Sequence, residues 1–314
     1  MTSPARFYAG LEKEAVACPL CGGGEFETLA RSDRYGMGIV TAGCTRCGLA
    51  LTNPRPTGAA LDRFYRVQYR PLYGKVEAPS DEYIAQGDVG LRAKYAAEHL
   101  DGAGLLPSAG RVLDVGCAEG SILRAIAARR PGLDLVGIEP SPTFGAFAVR
   151  HAGCRVLPDV DAYERETRVP ARLVIVNHVL EHVADPVAFL RRLGDLLAED
   201  GAIYVDVPDA SRYSSLIDLH LAHLHHFTPA TLAEAGRRAG LAVVSVERHD
   251  PPRHPASVRA AFRRAAPGAA ASEDVLPGPD EAETARRIRS IGRGAILWHL
   301  RERFVVPLLR RLRR

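Results

Sequence analysis

The residues of this 314-residue chain best suited to chemistry form a glycine-spaced turn, Gly116-Cys117-Ala118-Glu119-Gly120. An apolar run over 111–115 leads into the turn, and a helical pattern follows it. Gly116 and Gly120 carry no side chain, so the backbone can lie directly against a bound molecule. The pattern predicts a cradle for a nucleotide-like ligand.

Four of the six cysteines form two closely spaced pairs, Cys18/Cys21 and Cys44/Cys47, each followed by a glycine that permits a tight turn. Two such turns provide the tetrahedral sulfur shell that suits Zn²⁺. Four cysteines leave no open coordination position, so we expect a structural zinc. Disulfides and a redox pair are the alternatives; a reducing cytosol disfavours the first, and the duplication of the motif disfavours the second.

A cluster of histidines lies between 220 and 226, directly before Thr228 and Pro229, which together form a good helix start. A histidine titrates near neutral pH and can remove a proton from a reacting hydroxyl. The candidates for a general base are His223, His225 and His226, in that order. The alternative is that they cap helices or pack. We do not expect a metal here, because no acid accompanies the histidines.

The elements that must position these residues alternate between apolar runs and helical segments over 111–250. This alternation predicts an α/β fold with a parallel sheet and helices on both faces, whose ligand lies at the carboxyl ends of the strands. The run over 133–138 ends at Glu139, whose carboxylate can accept hydrogen bonds from both ribose hydroxyls. We predict a zinc ribbon over 1–57, a helical lead-in or cap over 58–107, the ligand-binding domain over 108–250, a linker with room for a last strand over 251–285, and a basic amphipathic tail over 286–314.

The chain resembles the class I S-adenosylmethionine-dependent methyltransferases, over about residues 15–250. Asp114 and the turn match the family's first motif, except that Ala118 replaces the middle glycine. The resemblance implies a Rossmann-like sheet and S-adenosylmethionine as cofactor. In that arrangement Glu139 holds the ribose, and Asp159 meets the adenine amine. The residues implied to hold the amino acid end of the cofactor are Asp114, Gly116, Cys117, Ala118 and Gly120.

A second match is the segment from Asn177 to Pro186, which resembles the family's motif after the fourth strand. The resemblance implies that Asn177 and His178 face the methionine part of the cofactor and the substrate. For Glu181 and His182 the alternative is a helix-entry hydrogen-bond arrangement with no chemical role.

Methyltransferases with a similar front module often act on sugars, glycans or other small metabolites. The related deoxysugar C-methyltransferases usually carry an acid where this chain has Ala222, so we expect O-methylation of a small molecule or glycan, with a loop histidine as general base. C-methylation remains an alternative. So does an RNA methyltransferase that reads its substrate with the zinc ribbon, although only three arginines lie between residues 15 and 50. A non-enzymatic cofactor-binding scaffold held at a membrane is a third possibility.

The positive charge of the chain is concentrated near its C-terminal end. Residues 286–314 contain ten arginines and one acid, whereas the whole chain carries +4. The remainder is therefore mildly acidic, which makes nucleic acid an unlikely partner. The tail resembles an interfacial amphipathic helix kinked near Pro307, so we expect weak association with an anionic membrane surface, with docking on the core or on a dimer mate as the alternative. Without an apolar run of 18 residues or a signal-peptide core, we expect a cytoplasmic protein, or one peripheral at the inner membrane face; the pattern leaves the oligomeric state open.

Overall fold

The computed structural model describes residues 4–69, 72, 76, 78–86, 88–166, 169–266 and 277–301. Its N-terminal module (residues 4–57) contains one short helix and five strands. They are α1 (Pro4–Ala9), β1 (Lys13–Glu14), β2 (Phe26–Ala30), β3 (Thr41–Cys44), β4 (Ala50–Thr52) and β5 (Arg55–Pro56). Strands β2, β3 and β4 pair antiparallel, and β1 pairs with β5.

A helical segment follows the module, as the sequence indicates. It consists of α2 (Gly58–Phe64), a π-helical turn (Tyr65–Tyr69), α3 (Asp81–Gln86) and α4 (Val89–Gly102). The side chains of Ala97 and Leu100 on α4 are buried in the core shared with the main sheet, which fixes α4 against one face of that sheet.

The main domain alternates strands and helices. Its strands are β6 (Arg111–Val115), β7 (Asp134–Ile138), β8 (Arg155–Leu157), β9 (Ala171–Asn177), β10 (Leu197–Pro208), β11 (His225–His226), β12 (Leu241–His249) and β13 (Ser257–Arg264). Its helices are α5 (Ser121–Arg129), α6 (Pro142–Ala152), α7 (Val160–Glu166), α8 (Pro186–Asp195) and α9 (Pro229–Arg238), with short 3₁₀ turns at Leu180–His182, Ala210–Arg212 and Leu216–Asp218.

Seven of these strands form the central sheet in the order β12-β13-β10-β9-β6-β7-β8. The strands from β10 to β8 run parallel, and only β13 runs against its neighbours. The middle strands are buried along most of their length because helices cover both faces. The fold class predicted from the sequence, a Rossmann-like α/β sheet, is confirmed. Strand β13 lies in the 251–285 segment, where the sequence leaves room for a last strand.

Two helices of the main domain begin with a side-chain cap followed by a proline, as predicted for Thr228 and Pro229. Ser141 accepts the backbone N–H of Phe144 before Pro142, and Thr228 accepts that of Thr231 before Pro229. Both pairs combine a side-chain cap with a proline in the first turn, where no intrahelical N–H partner is lost. The start of α6 is thereby fixed close to the end of β7, and the start of α9 directly after β11.

Two helices close the described chain, α10 (Pro279–Arg293) and α11 (Ala295–Leu300). Ile288 of α10 is fully buried in a cluster with Leu29 of β2, so this helix docks on the N-terminal module. Residues 267–276 of the predicted linker and residues 302–314 of the predicted tail, including Pro307, lie outside the described residues. Within the described ranges, no helix combines the length and apolar character needed to cross a membrane.

Candidate active site

The glycine-spaced turn (residues 116–120, hereafter the cofactor turn) connects β6 to α5 at the carboxyl edge of the sheet. The N–H groups of Gly116 and Cys117 both donate to the carbonyl of Ile138, at 2.8 and 3.0 Å, which fastens the turn to the end of β7. Gly116 and Gly120 have φ near +80°, a left-handed conformation that favours glycine. A Cβ on Gly116 would lie 2.5 Å from Cγ2 of Val179, so the position is also too close to its neighbour for a side chain.

Ala118, the position where the family pattern has glycine, also adopts a left-handed conformation, with φ of +47°. Only three described residues other than glycine have positive φ, and two of them, Ala118 and His178, lie at this site. Such conformations cost energy and persist where the surrounding contacts enforce them. At Ala118 the enforcing contact is the backbone N–H, which donates to Oε2 of Glu139 at 3.1 Å.

Glu139 links the ends of the first two strands of the domain. Besides Ala118, its carboxylate accepts the backbone N–H of Ser141 at 2.8 Å through Oε1. Both contacts hold the carboxylate at the start of α6, where the helix dipole favours a negative charge. A carboxylate oxygen can accept further hydrogen bonds, so Glu139 is oriented and still able to accept the two ribose hydroxyls of a nucleoside.

Asp114 is a buried carboxyl at this site whose pKa is strongly raised. Its side chain is buried, and its Oδ2 atom has no hydrogen-bond partner. Burial, together with the nearby carboxylates Glu119 and Glu139, raises the pKa of Asp114 to about 8. A buried acceptor without a donor is costly, so this carboxyl fits a ligand that brings its own positive N–H group, as the amino acid end of S-adenosylmethionine does.

The remaining predicted cofactor residues lie on the neighbouring strands. Asn177 is the last residue of β9, and His178 follows it with its N–H donating to the carbonyl of Asp206 at 2.8 Å. Asp159 is exposed and accepts the N–H of Ala162 at 2.6 Å, which caps the start of α7. Its contact with adenine stays a prediction, whereas its structural role as a helix cap is evident.

A glutamate–histidine cluster (Glu181, His178, His182 and His223) adjoins the cofactor turn through Val179. The Oε1 atom of Glu181 lies 3.4 Å from Nδ1 of His178, 3.8 Å from Nε2 of His182 and 3.9 Å from Nε2 of His223. The expectation that no acid accompanies the loop histidines is wrong, because Glu181 reaches them from the 3₁₀ turn after β9. The sequence pattern does not reveal this acid, because it precedes His223 by more than forty residues.

Burial sets the protonation preferences of this cluster. It lowers the pKa of His223 well below its usual range, and the neighbouring His220, His182 and His226 lower it further. Burial also acts to lower the pKa of His178, but the Glu181 carboxylate outweighs it and holds that pKa above its ordinary value. The pKa values of His223 and His178 are therefore shifted in opposite directions within one cluster.

His225 and His226 lie elsewhere than the sequence alone suggests. They form β11, which pairs antiparallel with β4 of the N-terminal module, His225 opposite Leu51 and His226 opposite Ala50. Both side chains are buried, and burial lowers the pKa of His225 to about 3 and of His226 to about 4. Of the three predicted bases, the structure brings His223 against Glu181.

The four cysteines of the N-terminal module converge as predicted. Sγ of Cys18 lies 3.6 Å from Sγ of Cys47, and Sγ of Cys21 lies 3.5 Å from Sγ of Cys44; all four atoms lie within 4.8 Å of one another. A tetrahedral zinc with bonds of about 2.3 Å separates its sulfur ligands by about 3.8 Å. The donor set and its spacing therefore fit a zinc ion.

The sheet order, the glycine-rich turn after β6 and the acid after β7 together define a class I S-adenosylmethionine-dependent methyltransferase. A family model described as a methyltransferase domain matches residues 90–246, half of the chain. The chain belongs to this family. The match includes the cofactor turn, Glu139 and the glutamate–histidine cluster, and it excludes the four cysteines.

Curated relatives resemble the same part of the chain. A ubiquinone biosynthesis O-methyltransferase of Azorhizobium caulinodans is 36% identical over 111 residues, which are 33% of this chain and 43% of the relative. A trans-aconitate 2-methyltransferase of Methylobacterium nodulans is 30% identical over 104 residues, 33% of this chain and 40% of the relative. The chain thus spans about two-fifths of the length of these two relatives.

Solved structures with a similar fold include the mitomycin 7-O-methyltransferase, at 21% identity and a TM-score of 0.46 over 56% of this chain and 54% of that one. A plantazolicin methyltransferase in complex with SAH has 13% identity and a TM-score of 0.45, over 59% of this chain and 88% of that chain.

Proposed function

We propose that the protein transfers the methyl group of S-adenosylmethionine to a hydroxyl of a small molecule or glycan. The observation that carries this proposal is the contact between the two halves of the site. Val179 packs on Gly116 of the cofactor turn and is flanked by His178 and the Glu181 turn. Groups able to act on a hydroxyl therefore lie beside the cradle. The names of the curated relatives, which are methyltransferases of small molecules, support the same substrate class.

When bound, S-adenosylmethionine supplies an electrophilic methyl group. The protein has to bind the cofactor, align the acceptor with the methyl group and remove a proton from the acceptor. Asp114 and the backbone of the cofactor turn would hold the amino acid end, and Glu139 would hold the ribose. Asn177 and His178 would border the methionine part, and the acceptor's proton would leave at the glutamate–histidine cluster, with His223 as the loop histidine placed to take part.

Isothermal titration with S-adenosylmethionine tests the cofactor half of the proposal. Glu139→Ala removes charge-assisted hydrogen bonds, so we expect its affinity to fall by about tenfold or more. Glu199→Ala, at an exposed position on β10 away from the turn, is the matched control and should bind as the wild type does. Absence of binding to the wild type would refute the proposal, and equal affinity for Glu139→Ala would refute the role of that carboxylate.

Transfer of a labelled methyl group to an acceptor panel tests the substrate half. We expect labelled ethers from hydroxylated small molecules or sugars. Methylation of carbon in a deoxysugar, or of RNA with affinity that falls steeply with salt, would replace the proposal by one of its alternatives. Cofactor binding without turnover on any class would favour the scaffold.

We further propose that the N-terminal module holds a structural zinc. The support is the convergence of four thiols on two glycine-containing turns, together with the burial of Cys18, Cys44 and Cys47. Four sulfur ligands leave no position for a substrate, so the metal would fix the module without reacting.

Weak binding to anionic membranes stays a proposal for the C-terminal part. The docking of α10 accounts for its buried face, whereas Ile296 and Leu297 on α11 are 75% and 74% exposed. We expect the protein to sediment with vesicles of anionic lipid and Ile296→Asp/Leu297→Asp to reduce that binding. Ile217→Asp, at an exposed apolar position elsewhere, is the control. Sedimentation that is equal for all three proteins would contradict the proposal.

A further inference from the structure

We propose that Glu181, His182 and His223 form a binding site for a divalent transition-metal cation, distinct from the four-cysteine site. The ligand atoms of these three residues lie within 4.8 Å of one another. They come from the 3₁₀ turn after β9 and from the loop before β11, two segments held together by the N–H of Leu224 donating to the carbonyl of Glu181 at 2.8 Å.

The first argument is the state of Glu181. Its side chain is 2% exposed, and neither carboxylate oxygen has a hydrogen-bond partner. The three nearest ring nitrogens lie at 3.4 to 3.9 Å, longer than a hydrogen bond. A buried carboxylate without donors is strongly unfavourable unless a cation compensates it. Among the described residues, none donates a hydrogen bond to this buried carboxyl group.

The second argument is the orientation of the two imidazoles. Nδ1 of His182 lies 2.6 Å from the carbonyl oxygen of Ala222, and because a carbonyl can only accept, this nitrogen carries the proton. Nε2 of His182 therefore presents its lone pair towards Glu181. A second-sphere carbonyl that fixes the tautomer in this way is typical of metal-ligating histidines. His223 presents Nε2 to the same oxygen.

The third argument is spacing. A tetrahedral cation with bonds of about 2.1 Å holds its oxygen and nitrogen ligands about 3.4 Å apart. The separations of 3.8 and 3.9 Å from Glu181 to the two histidines are a few tenths of an ångström longer, and all three ligand atoms lie within 4.8 Å of one another. Two nitrogens and one oxygen favour Zn²⁺ or Co²⁺ over Mg²⁺ and Mn²⁺, which prefer oxygen ligands.

Three protein ligands leave a fourth coordination position for an acceptor hydroxyl, so the inference extends the proposed function and rests on it for this step only. A hydroxyl bound to the cation becomes more acidic. Its O–H bond breaks with the proton passing to water, and the oxygen's electron pair forms the new bond to the methyl carbon. The sulfur–methyl bond breaks with its electron pair left on sulfur. In this form His223 acts on the acceptor as a ligand of the cation.

Metal stoichiometry tests the site without the cofactor or an acceptor. Metal-free protein is loaded with Co²⁺, freed of excess by gel filtration and analysed by elemental mass spectrometry and visible absorption. We expect two equivalents per wild-type chain: one with intense sulfur-to-cobalt bands and one with weaker bands typical of nitrogen and oxygen ligands. Glu181→Gln and His182→Asn should each retain the sulfur bands and weaken the second site by about tenfold or more.

His151→Asn, at a histidine away from the cluster, is the control and should keep two equivalents. A single equivalent in the wild type, or two in Glu181→Gln, would overturn the proposal. If Glu181→Gln fails to fold by circular dichroism, His182→Asn decides the question, because its ring is partly exposed. Two equivalents of Co²⁺ without S-adenosylmethionine binding would refute the proposed function and support the metal site. Methyl transfer by a protein that holds one equivalent would support the proposed function and refute the second metal site.

Discussion

Asp114 carries a stability cost that its replacement by asparagine should reveal. Its pKa of about 8 in the folded protein lies far above the value of about 3.9 for an unfolded chain. Between these two values the folded state binds more protons than the unfolded state, so the free energy of unfolding falls as pH rises. The slope is about 1.4 kcal/mol per pH unit, and over the full interval the loss is about 6 kcal/mol.

The side chain introduced by Asp114→Asn cannot ionise in the folded or the unfolded state. The free energy of unfolding of the variant therefore lacks this dependence on pH. Without cofactor, we expect the variant and the wild type to be equally stable near pH 4, and the variant to become progressively more stable up to about pH 8, where the difference levels off. Urea unfolding at intervals of one pH unit measures the difference. Asp195→Asn, at an exposed carboxyl at the end of α8, should follow the wild type.

The gain in stability should be accompanied by a loss of cofactor binding. S-adenosylmethionine at a hundred times its dissociation constant stabilises the wild type by about 2.7 kcal/mol, and Asp114→Asn should gain much less. Two results would refute the reasoning. A stability difference that does not change between pH 5 and 8 would mean that Asp114 is ionised without ligand, and full cofactor stabilisation of the variant would mean that the carboxylate does not contact it.

Three further predictions concern the frame of the site. Gly116→Ala should lose cofactor affinity by about tenfold or more, because its methyl meets a neighbouring side chain. Gly153 has a similar left-handed backbone, but a methyl added there meets no atom, so Gly153→Ala isolates the conformational cost of about 1–2 kcal/mol. Equal losses of cofactor affinity for the two variants in calorimetry would contradict the close contact at Gly116. Glu281→Ala removes the acceptor of the buried Thr228 hydroxyl and should lower the free energy of unfolding by about 2 kcal/mol. Glu283→Ala, at a partly exposed carboxylate on the surface of the same helix, should change urea unfolding little; equal losses of stability would contradict the anchor. Chelation of the metal expected in the N-terminal module should speed hydrogen exchange of the β11 amides, which pair with β4, and unchanged exchange would contradict the coupling.

The features predictable from the sequence are those with local signals. The order of strands and helices follows from apolar runs and from the caps before Pro142 and Pro229. The cofactor turn and Glu139 follow from glycine spacing and from the rule that ligands lie at the carboxyl ends of parallel strands. In each case, residues within a few positions of one another determine the local conformation.

The glutamate–histidine cluster could not be predicted in the same way. Glu181 and His223 meet because the crossover after β10 returns across the end of β9, a tertiary arrangement that no local pattern encodes. The two residues of β11 are too few to give a strand period, and their pairing depends on an edge supplied by β4. For the same reason the sequence shows His225 and His226 as loop residues, whereas the fold buries them.

The pairing of β11 with β4 also determines how this architecture can be divided. Successive side chains of a strand point to opposite faces, so a single-residue insertion between Leu224 and Phe227 would exchange the faces to which the side chains of β11 point. The N-terminal module therefore cannot be exchanged by itself between related proteins. A functional chimera must transfer the module together with the segment that contains His225 and His226. We expect the sequences of these two segments to change together in evolution.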